Sequence, residues 1–369
     1  MGKKPEQNEI EVSIFGPGYG ECVLLHVGRG NWIIVDSCVF PGDTRPAPLL
    51  YLDKMNVDFS KSVKVLVATH WHDDHIRGLG DIFKECKESV FFCSDALRAD
   101  EFCQLIHIYG DSLISGNSGV NEFGIILKEM SERKKRGDLN SKPKFAVADR
   151  RIWKNIFKDK GRDIVASLYS LSPCDDAILS SKLDIRKLFP RQGENPRAIP
   201  GISPNQSSVV LWLSFADINI LLGADLEEKG NSHKGWSVII DSCTRPEGKA
   251  IFFKIPHHGS KNAHHPRVWE EMLVHDPIAV LTPFSRGKEL PSNEDIKRIC
   301  SNTSRAYSTG APGSKKRLKR RGFVDKMIKE TVGKIKMITP SSGHVRFRMK
   351  PSKSHTIELF GEANSLCGN

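Results

Sequence analysis

The apolar, β-branched run VKVLVA (63–68) passes directly into THWHDDHIRG (69–78), which places His70, His72, Asp74 and His75 within six consecutive positions. The run reads as a buried strand, so the chain gathers three imidazoles and a carboxylate at a strand end. Imidazole and carboxylate are the usual protein ligands of zinc, manganese and iron. A turn leaving a rigid strand can aim His70 and His72 at one ion and carry Asp74 and His75 round to a second. Loops anchored by strands are the usual home of such sites. A lone histidine is most often a satisfied surface or core residue; four ligand-type side chains in six positions are not accounted for in that way.

The pattern recurs further along. AIFFKIPHHGS (250–260) is an apolar strand ending in His257 and His258, and SSVVLWLSFADINILLGAD (207–225) is a hairpin that turns at Ala216–Asp217 and ends in Asp225. EIEVSIFG (9–16), ECVLLHVG (21–28) and NWIIVDSC (31–38) predict an antiparallel meander with glycine-rich turns, and Asp36 stands near the end of its third strand. Residues 46–60 and 79–88 predict helices, and SVFFCS (89–94) a strand. From 97 to 165 the periodicity turns helical, as in NEFGIILKEMSERKKRG (121–137), so a mostly helical insertion is expected between two halves of one domain, 1–96 and 166–369. Its Lys134, Lys135, Arg136, Arg150 and Arg151, with Trp153 and Phe157, are suited to lining a substrate cleft. Strands follow at 163–173 and 277–284, helices at PRVWEEMLVH and NEDIKRIC, and strands again at KIKMITP (334–340), HVRFRM (344–349) and TIELFG (356–361). Two strand-rich blocks with helices between them are most simply packed as two sheets covered by helices, an α/β (α+β) class.

The 369 residues have a hydrophobic fraction of 39%, enough for a large core, and no apolar stretch approaches the roughly 20 residues of a bilayer span. The first residues lack the apolar region of a signal peptide, so a cytoplasmic chain with no membrane partner is expected. The nine cysteines include no C-x-x-C, which argues against a disulfide framework or a thiolate zinc ribbon; Cys22, Cys38, Cys93 and Cys103 lie in apolar surroundings. A formal net charge of +11 suits an anionic partner such as nucleic acid, and six of the seven residues from Lys315 to Arg321 are cations. Such a run also serves as a solvated face.

H-x-H-x-D-H at 70–75 after an apolar strand, Asp36 ending IIVD, Asp225 ending ILLGAD and the histidine pair ending FFKIPHHGS together resemble the metallo-β-lactamase fold superfamily. NQSSVVLWL…ILLGADLE paired with KIPHHGSKNA is similar to one branch of it, the metallohydrolase domain of ComEC, the bacterial DNA-uptake competence protein. The resemblance covers roughly 9–95 and 165–350 and leaves the insertion outside. It implies an αββα sandwich with a binuclear site in a groove at one edge. Carried over, His70 and His72 hold one metal, Asp74 and His75 the other, Asp225 bridges both, and one histidine of the 257–258 pair, with His257 favoured, completes the second site. Asp36 then orients a ligand imidazole. The further histidine that many members place before the bridging aspartate is missing: His107 is the one histidine between 76 and 224, and the expected region reads SPNQSSVV. The first metal thus has fewer protein ligands, and manganese rivals zinc.

Two divalent ions about 3.5–4 Å apart turn a bridging water into a nucleophile and clamp the attacked group. Asp74, Asp225 and His257 are the candidate catalytic residues, with Asp74 also a proton acceptor; Lys254, Ser260 and Lys261 flank the histidine pair and are placed to meet a phosphate oxygen. His264 and His265 are read as neighbours of the site or surface residues, and GPGYG, with no helix after it, is no phosphate loop. The expected activity is a metal-dependent phosphodiesterase or nuclease on DNA or RNA. The alternatives are a small-molecule ester, lactone or phosphodiester hydrolase, and an effector or binding module under the control of a regulatory protein partner.

Overall fold

The computed structural model describes residues 3–17, 20–98, 100–109, 118–189, 204–230, 232–284, 289–312, 327, 331, 342–351 and 354–368. In chain order the strands are β1 (Ile10–Gly16), β2 (Cys22–Val27), β3 (Trp32–Asp36), β4 (Val63–Ala68), β5 (Val90–Ser94), β6 (Lys144–Ala146), β7 (Arg150–Asp159), β8 (Arg162–Ser170), β9 (Leu211–Phe215), β10 (Ile218–Leu222), β11 (Ala250–Lys254), β12 (Leu273–Leu281), β13 (Ala306–Ser308), β14 (Gly343–Met349), β15 (His355–Gly361) and β16 (Asn364–Ser365). The helices are α1 (Ala47–Lys54), α2 (Phe59–Ser62), α3 (Asp73–Ile76), α4 (Leu79–Glu85), α5 (Asp100–Tyr109), α6 (Ser118–Arg136), α7 (Asp175–Arg186), α8 (Trp236–Asp241) and α9 (Asn293–Cys300).

The strands form two sheets, in the orders β15-β14-β1-β2-β3-β4-β5-β6 and β16-β13-β12-β11-β10-β9-β8-β7. Side chains alternate across each strand. In β4, Val65 and Val67 point between the sheets with Ile220, Leu222 and Phe252. Leu66 and Ala68 point outward, against Leu52, Phe83, Phe102 and Phe123 of α1, α4, α5 and α6. The outer face of the second sheet packs Trp212, Leu221 and Phe253 against Trp236 and Ile239 of α8 and Ile299 of α9. Three apolar layers therefore separate four structural ones: the two helix-covered sheets that the strand pattern predicts, in the αββα order that the resemblance implies.

The strands β3 to β6 run parallel, as do β10 to β13. Ligand sites of parallel sheets gather beyond the carboxyl ends of the strands. Here those ends meet at one edge, where the Val209 N–H donates to the Thr69 carbonyl oxygen (3.0 Å) and joins the two sheets.

Four sequence expectations change. The segment 97–165 is helical only as far as Arg136; β6 then extends the first sheet, and the β7–β8 hairpin extends the second. PRVWEEMLVH forms one short π-helical turn, Val268–Met272, before β12 begins at Leu273. Cys22, Cys38 and Cys93 are buried as expected, whereas Cys103 is exposed. Cys300 and Cys367 form a disulfide that ties the end of α9 to the segment after β16, a single bond that the spacing does not signal. The 315–321 basic run and the 334–340 strand lie outside the described residues. Among the described residues, no helix is long and apolar enough to cross a membrane.

Candidate metal centre

Asp36 closes β3 with a left-handed backbone (φ 61°) that turns its carboxylate back beneath the next strand. Its Oδ1 accepts from the Thr69 N–H (2.7 Å), and its Oδ2 accepts from the Thr69 hydroxyl (2.7 Å) and from His75 Nδ1 (2.7 Å). The Thr69 hydroxyl, having given its proton to Asp36, accepts from His70 Nδ1 at 2.9 Å. One carboxylate thus sets two imidazoles, His75 directly and His70 through Thr69. Holding the Nδ1 proton on a protein oxygen leaves Nε2 as the free lone pair, the tautomer a metal ligand needs. His258 follows the same rule, donating from Nδ1 to the Thr282 carbonyl oxygen (2.9 Å) while its ring stacks on Phe284.

These lone pairs converge. Asp74, His75, Asp225 and His258 each offer a ligand atom, all within 4.8 Å of one another. His75 Nε2 lies 3.3 Å from Asp225 Oδ1, and His258 Nε2 lies 3.3 Å from Asp74 Oδ2 and 3.8 Å from Asp225 Oδ2. His70 is buried, its ring centroid 4.2 Å from that of His75, and His70 Nε2, His75 Nε2 and Asp225 Oδ1 have no hydrogen-bond partner. Buried polar atoms are nearly always paired; three left open and facing a shared space fit a divalent cation. His72 caps the start of α3 with a side chain 44% exposed, its Nδ1 3.9 Å from Asp74 Oδ1, at the outer side of the group.

The electrostatics agree. Burial pushes the carboxyl of Asp74 up, but the hydrogen bond from His258 and the charge of His75 outweigh it and hold the group ionised, well below the usual carboxylate range. Asp225 is likewise held low by His75, His258 and Lys254 against its burial. Burial would lower His75, yet Asp225 and Asp36 hold it well above the ordinary imidazole value, and Asp225 and Asp74 do the same for His258. Burial lowers His70. In the metal-free chain, protons on His75 and His258 therefore stand in for the positive charge of a metal.

Three expectations need correction. His258 joins the cluster, not the favoured His257. Both have left-handed backbones (φ 44° and 55°), and this double turn swings the two rings apart. His257 Nδ1 lies 3.0 Å from Asn262 Oδ1 and 3.5 Å from Glu227 Oε1, while its Nε2 lies 3.3 Å from Asn205 Nδ2. Lys254 is not free for a phosphate oxygen. It is buried (1% exposed), donates to the Ala224 carbonyl oxygen (2.8 Å), pairs with Glu21 and lies 3.8 Å from Asp225 Oδ1. Ser260 is buried too, its N–H donating to the His257 carbonyl oxygen at 3.0 Å, whereas Lys261 is exposed at the turn that follows. His264 and His265 line a separate cleft with Trp236, Trp269 and Arg298.

Glu21 is absent from the sequence candidates. It is buried immediately before β2, its N–H donates to the Asp74 carbonyl oxygen (2.9 Å), and its carboxylate sits between Lys254 and His75. A charged residue leading into an apolar strand, on the edge shared with Asp36, is the signal that marks it. Asn205 stands in the region where the missing histidine was expected. Its amide donates to Glu227 Oε1 (3.1 Å), so the residue is committed to the layer beside His257.

Residues 15–122 match the family model described as Metallo-beta-lactamase superfamily. No curated protein matches the chain. Among solved structures, the chain is similar to the metallo-beta-lactamase fold protein YhfI from Bacillus subtilis, at 10% identity, covering 83% of this chain and 97% of that one with a TM-score of 0.37. It is also similar to human tRNase Z, short form (11% identity, 80% and 89% coverage, TM-score 0.33). A third is a metallo-beta-lactamase from Pontibacter korlensis (15% identity, 64% and 81% coverage, TM-score 0.26). The matched residues 15–122 take in Asp36 and the whole histidine run at 70–75, on a chain folded as an αββα sandwich with that run at a strand end.

Proposed function

We propose that the chain is a metal-dependent phosphodiesterase acting on nucleic acid, in keeping with the ComEC-like pattern of its sequence. The observation that carries the hydrolase reading is the convergence of Asp74 with the buried His75, Asp225 and His258. These four would hold one divalent ion, zinc or manganese, and His70 and His72 would hold a second with fewer protein atoms. The commitment of Asn205 to Glu227 supports the second site being the weaker. Divalent ions bound here would supply Lewis-acid polarisation of a phosphoryl oxygen and an activated water.

The chain's own groups do the rest. Asp36 and Thr69 hold His70 and His75 in the required tautomers, and the Thr282 carbonyl oxygen does so for His258. Asp74, ionised and reached from the outer side of the group, would accept a proton during attack. Lys254, itself held by Glu21, helps keep Asp225 charged. Lys261 on the rim is placed to meet a substrate anion, and the +11 balance draws polyanions towards the protein.

The test is hydrolysis of labelled DNA and RNA by chain reconstituted with zinc or manganese, beside bis-p-nitrophenyl phosphate and a lactone. Cleavage of a nucleic acid that disappears in a folded Asp225→Ala variant supports the reading. A metal-loaded wild type that opens the lactone but leaves every nucleic acid intact refutes it.

A further inference from the structure

The helix α6 begins at the end of the matched residues 15–122 and runs on beyond them, and it grips the turn that carries Asp74 and His75 at several points. In its first turn the Gly119 N–H donates to Asp73 Oδ1 at 2.9 Å. A β-carbon on Gly119 would lie 2.3 Å from the carbonyl oxygen of Trp71, so no larger residue lets the helix approach this closely. One turn on, the Glu122 carboxylate accepts from the Gly78 N–H on Oε1 (2.7 Å) and from the Gly80 N–H on Oε2 (2.8 Å). These amides open α4 directly after the histidine run, where unpaired N–H groups and the helix dipole favour a negative charge.

The other end of α4 is held from the same helix. Arg133, 1% exposed, donates to the carbonyl oxygens of Phe83, Cys86 and Ser89, with its guanidinium 3.7 Å from the centroid of the Phe83 ring. A carboxylate at the N-terminus and a guanidinium at the C-terminus match the polarity of α4. The turn between His72 and Gly78 is thereby fixed at Asp73 and at Gly78, on either side of Asp74 and His75.

We propose that α6 is a clamp that positions the metal ligands, with Glu122 as its positioning residue: through Gly78, Gly80 and, by way of Gly119, Asp73, it holds Asp74 and His75 at the spacing a metal requires. The inference rests on the reading of Asp74 and His75 as metal ligands. Arg133 supplies the control, because it secures the same short helix at the end remote from the ligands.

The experiment compares wild type, Glu122→Ala, Glu122→Gln and Arg133→Met. Cobalt affinity is measured by competition with a chromophoric chelator, the cobalt visible spectrum is recorded, and the metal-free proteins are unfolded in urea. Loss of a group that orients ligands from outside typically weakens metal binding about 10-fold or more, and this is expected for Glu122→Ala with a shifted cobalt spectrum. Glu122→Gln, which keeps one acceptor oxygen, recovers part of the affinity and the wild-type spectrum. Arg133→Met lowers urea stability but leaves affinity and spectrum near wild type. Should Glu122→Ala fail to fold, Asp73→Ala, which removes only the Gly119 bond, reads the same link. Equal weakening by the Glu122 and Arg133 changes, or an unchanged spectrum and affinity in Glu122→Ala, overturns the clamp. A wild type that takes up no cobalt overturns the metal reading, and the clamp with it.

Discussion

Asp36 shows how much one side chain carries. It accepts three hydrogen bonds beneath the site, so Asp36→Ala strands the Thr69 N–H, the Thr69 hydroxyl and His75 Nδ1 in a dry interior. The expected cost is about 1–3 kcal/mol of stability, from unsatisfied buried donors. Metal affinity should fall by about 10- to 100-fold, because the imidazole tautomers are no longer held. Urea unfolding and chelator competition on one preparation check both, and unchanged affinity would show that Asp36 orients nothing. A second prediction concerns protons. His75 and His258 are held protonated above the ordinary imidazole value in the metal-free chain, while Asp74 and Asp225 are already ionised. Metal must therefore displace protons from the imidazoles, so affinity rises with pH. Calorimetry in buffers of different ionisation enthalpy should show proton release on binding at neutral pH. The residues legible in the sequence are those at the ends of apolar strands: Asp36, His70, His72, Asp74, His75 and Asp225. The choice between His257 and His258 is not legible, because two successive left-handed residues after Pro256 abolish strand alternation. The sequence misplaces Lys254 because its partner, Glu21, borders a distant strand of the other sheet.

At the level of elements, the central strands and the second arm of the β7–β8 hairpin can be read, and the first arm, at the sheet edge, cannot. RRIWKNIFKD faces solvent on one side, so its apolar residues are too sparse to show a period of two, and the i, i+4 spacing of Trp153 and Phe157 mimics a helix. The signal that marks the hairpin is Lys160–Gly161, a two-residue loop between paired Asp159 and Arg162 with both φ angles positive (46° and 82°), as a type I′ hairpin turn requires. A β-carbon at Gly161 would meet nothing within 4 Å, so Gly161→Ala isolates backbone strain and should cost about 1–2 kcal/mol in urea unfolding, with metal affinity unchanged. The β2–β3 turn carries a pH-sensitive contact of its own. His26 Nδ1 donates to the Glu9 carbonyl oxygen (2.7 Å) and Nε2 accepts from the Gly30 N–H (3.1 Å), so the ring is needed neutral; burial pushes it down to about 4. Between the unfolded value near 6.5 and 4, the unfolded chain binds a proton that the folded chain refuses. Stability should thus fall as pH drops through this window, by roughly 3 kcal/mol at its lower end. Urea unfolding of wild type and His26→Gln at pH 7 and pH 4 checks this, the variant losing less over the interval.

At the level of the whole molecule, two sheets share one apolar interior, and their parallel strands end at a common edge. That architecture separates tasks: the interior holds the strand ends rigid, and the edge gathers the ligands without exposing the core. It also leaves substrate choice to the surface, where charge is the property on which a nucleic-acid reading can be tested without turnover. An excess of eleven positive charges binds a polyanion by displacing its counterions, and the logarithm of affinity then falls linearly with the logarithm of salt, with a slope of about −0.7 per neutralised phosphate on a single strand and about −0.9 on duplex DNA. Asp225→Ala, loaded with short single-stranded and duplex oligonucleotides, should therefore bind with a steep negative slope. Changing Lys315, Lys316 and Lys319 to Gln should make the slope shallower by about one for each phosphate that is no longer neutralised. A slope that stays the same after these changes would remove the 315–321 run from the interface and return it to the role of a solvated segment. A slope near zero in the parent would leave the +11 balance as a matter of solubility, and would direct the search for substrate towards small esters and lactones.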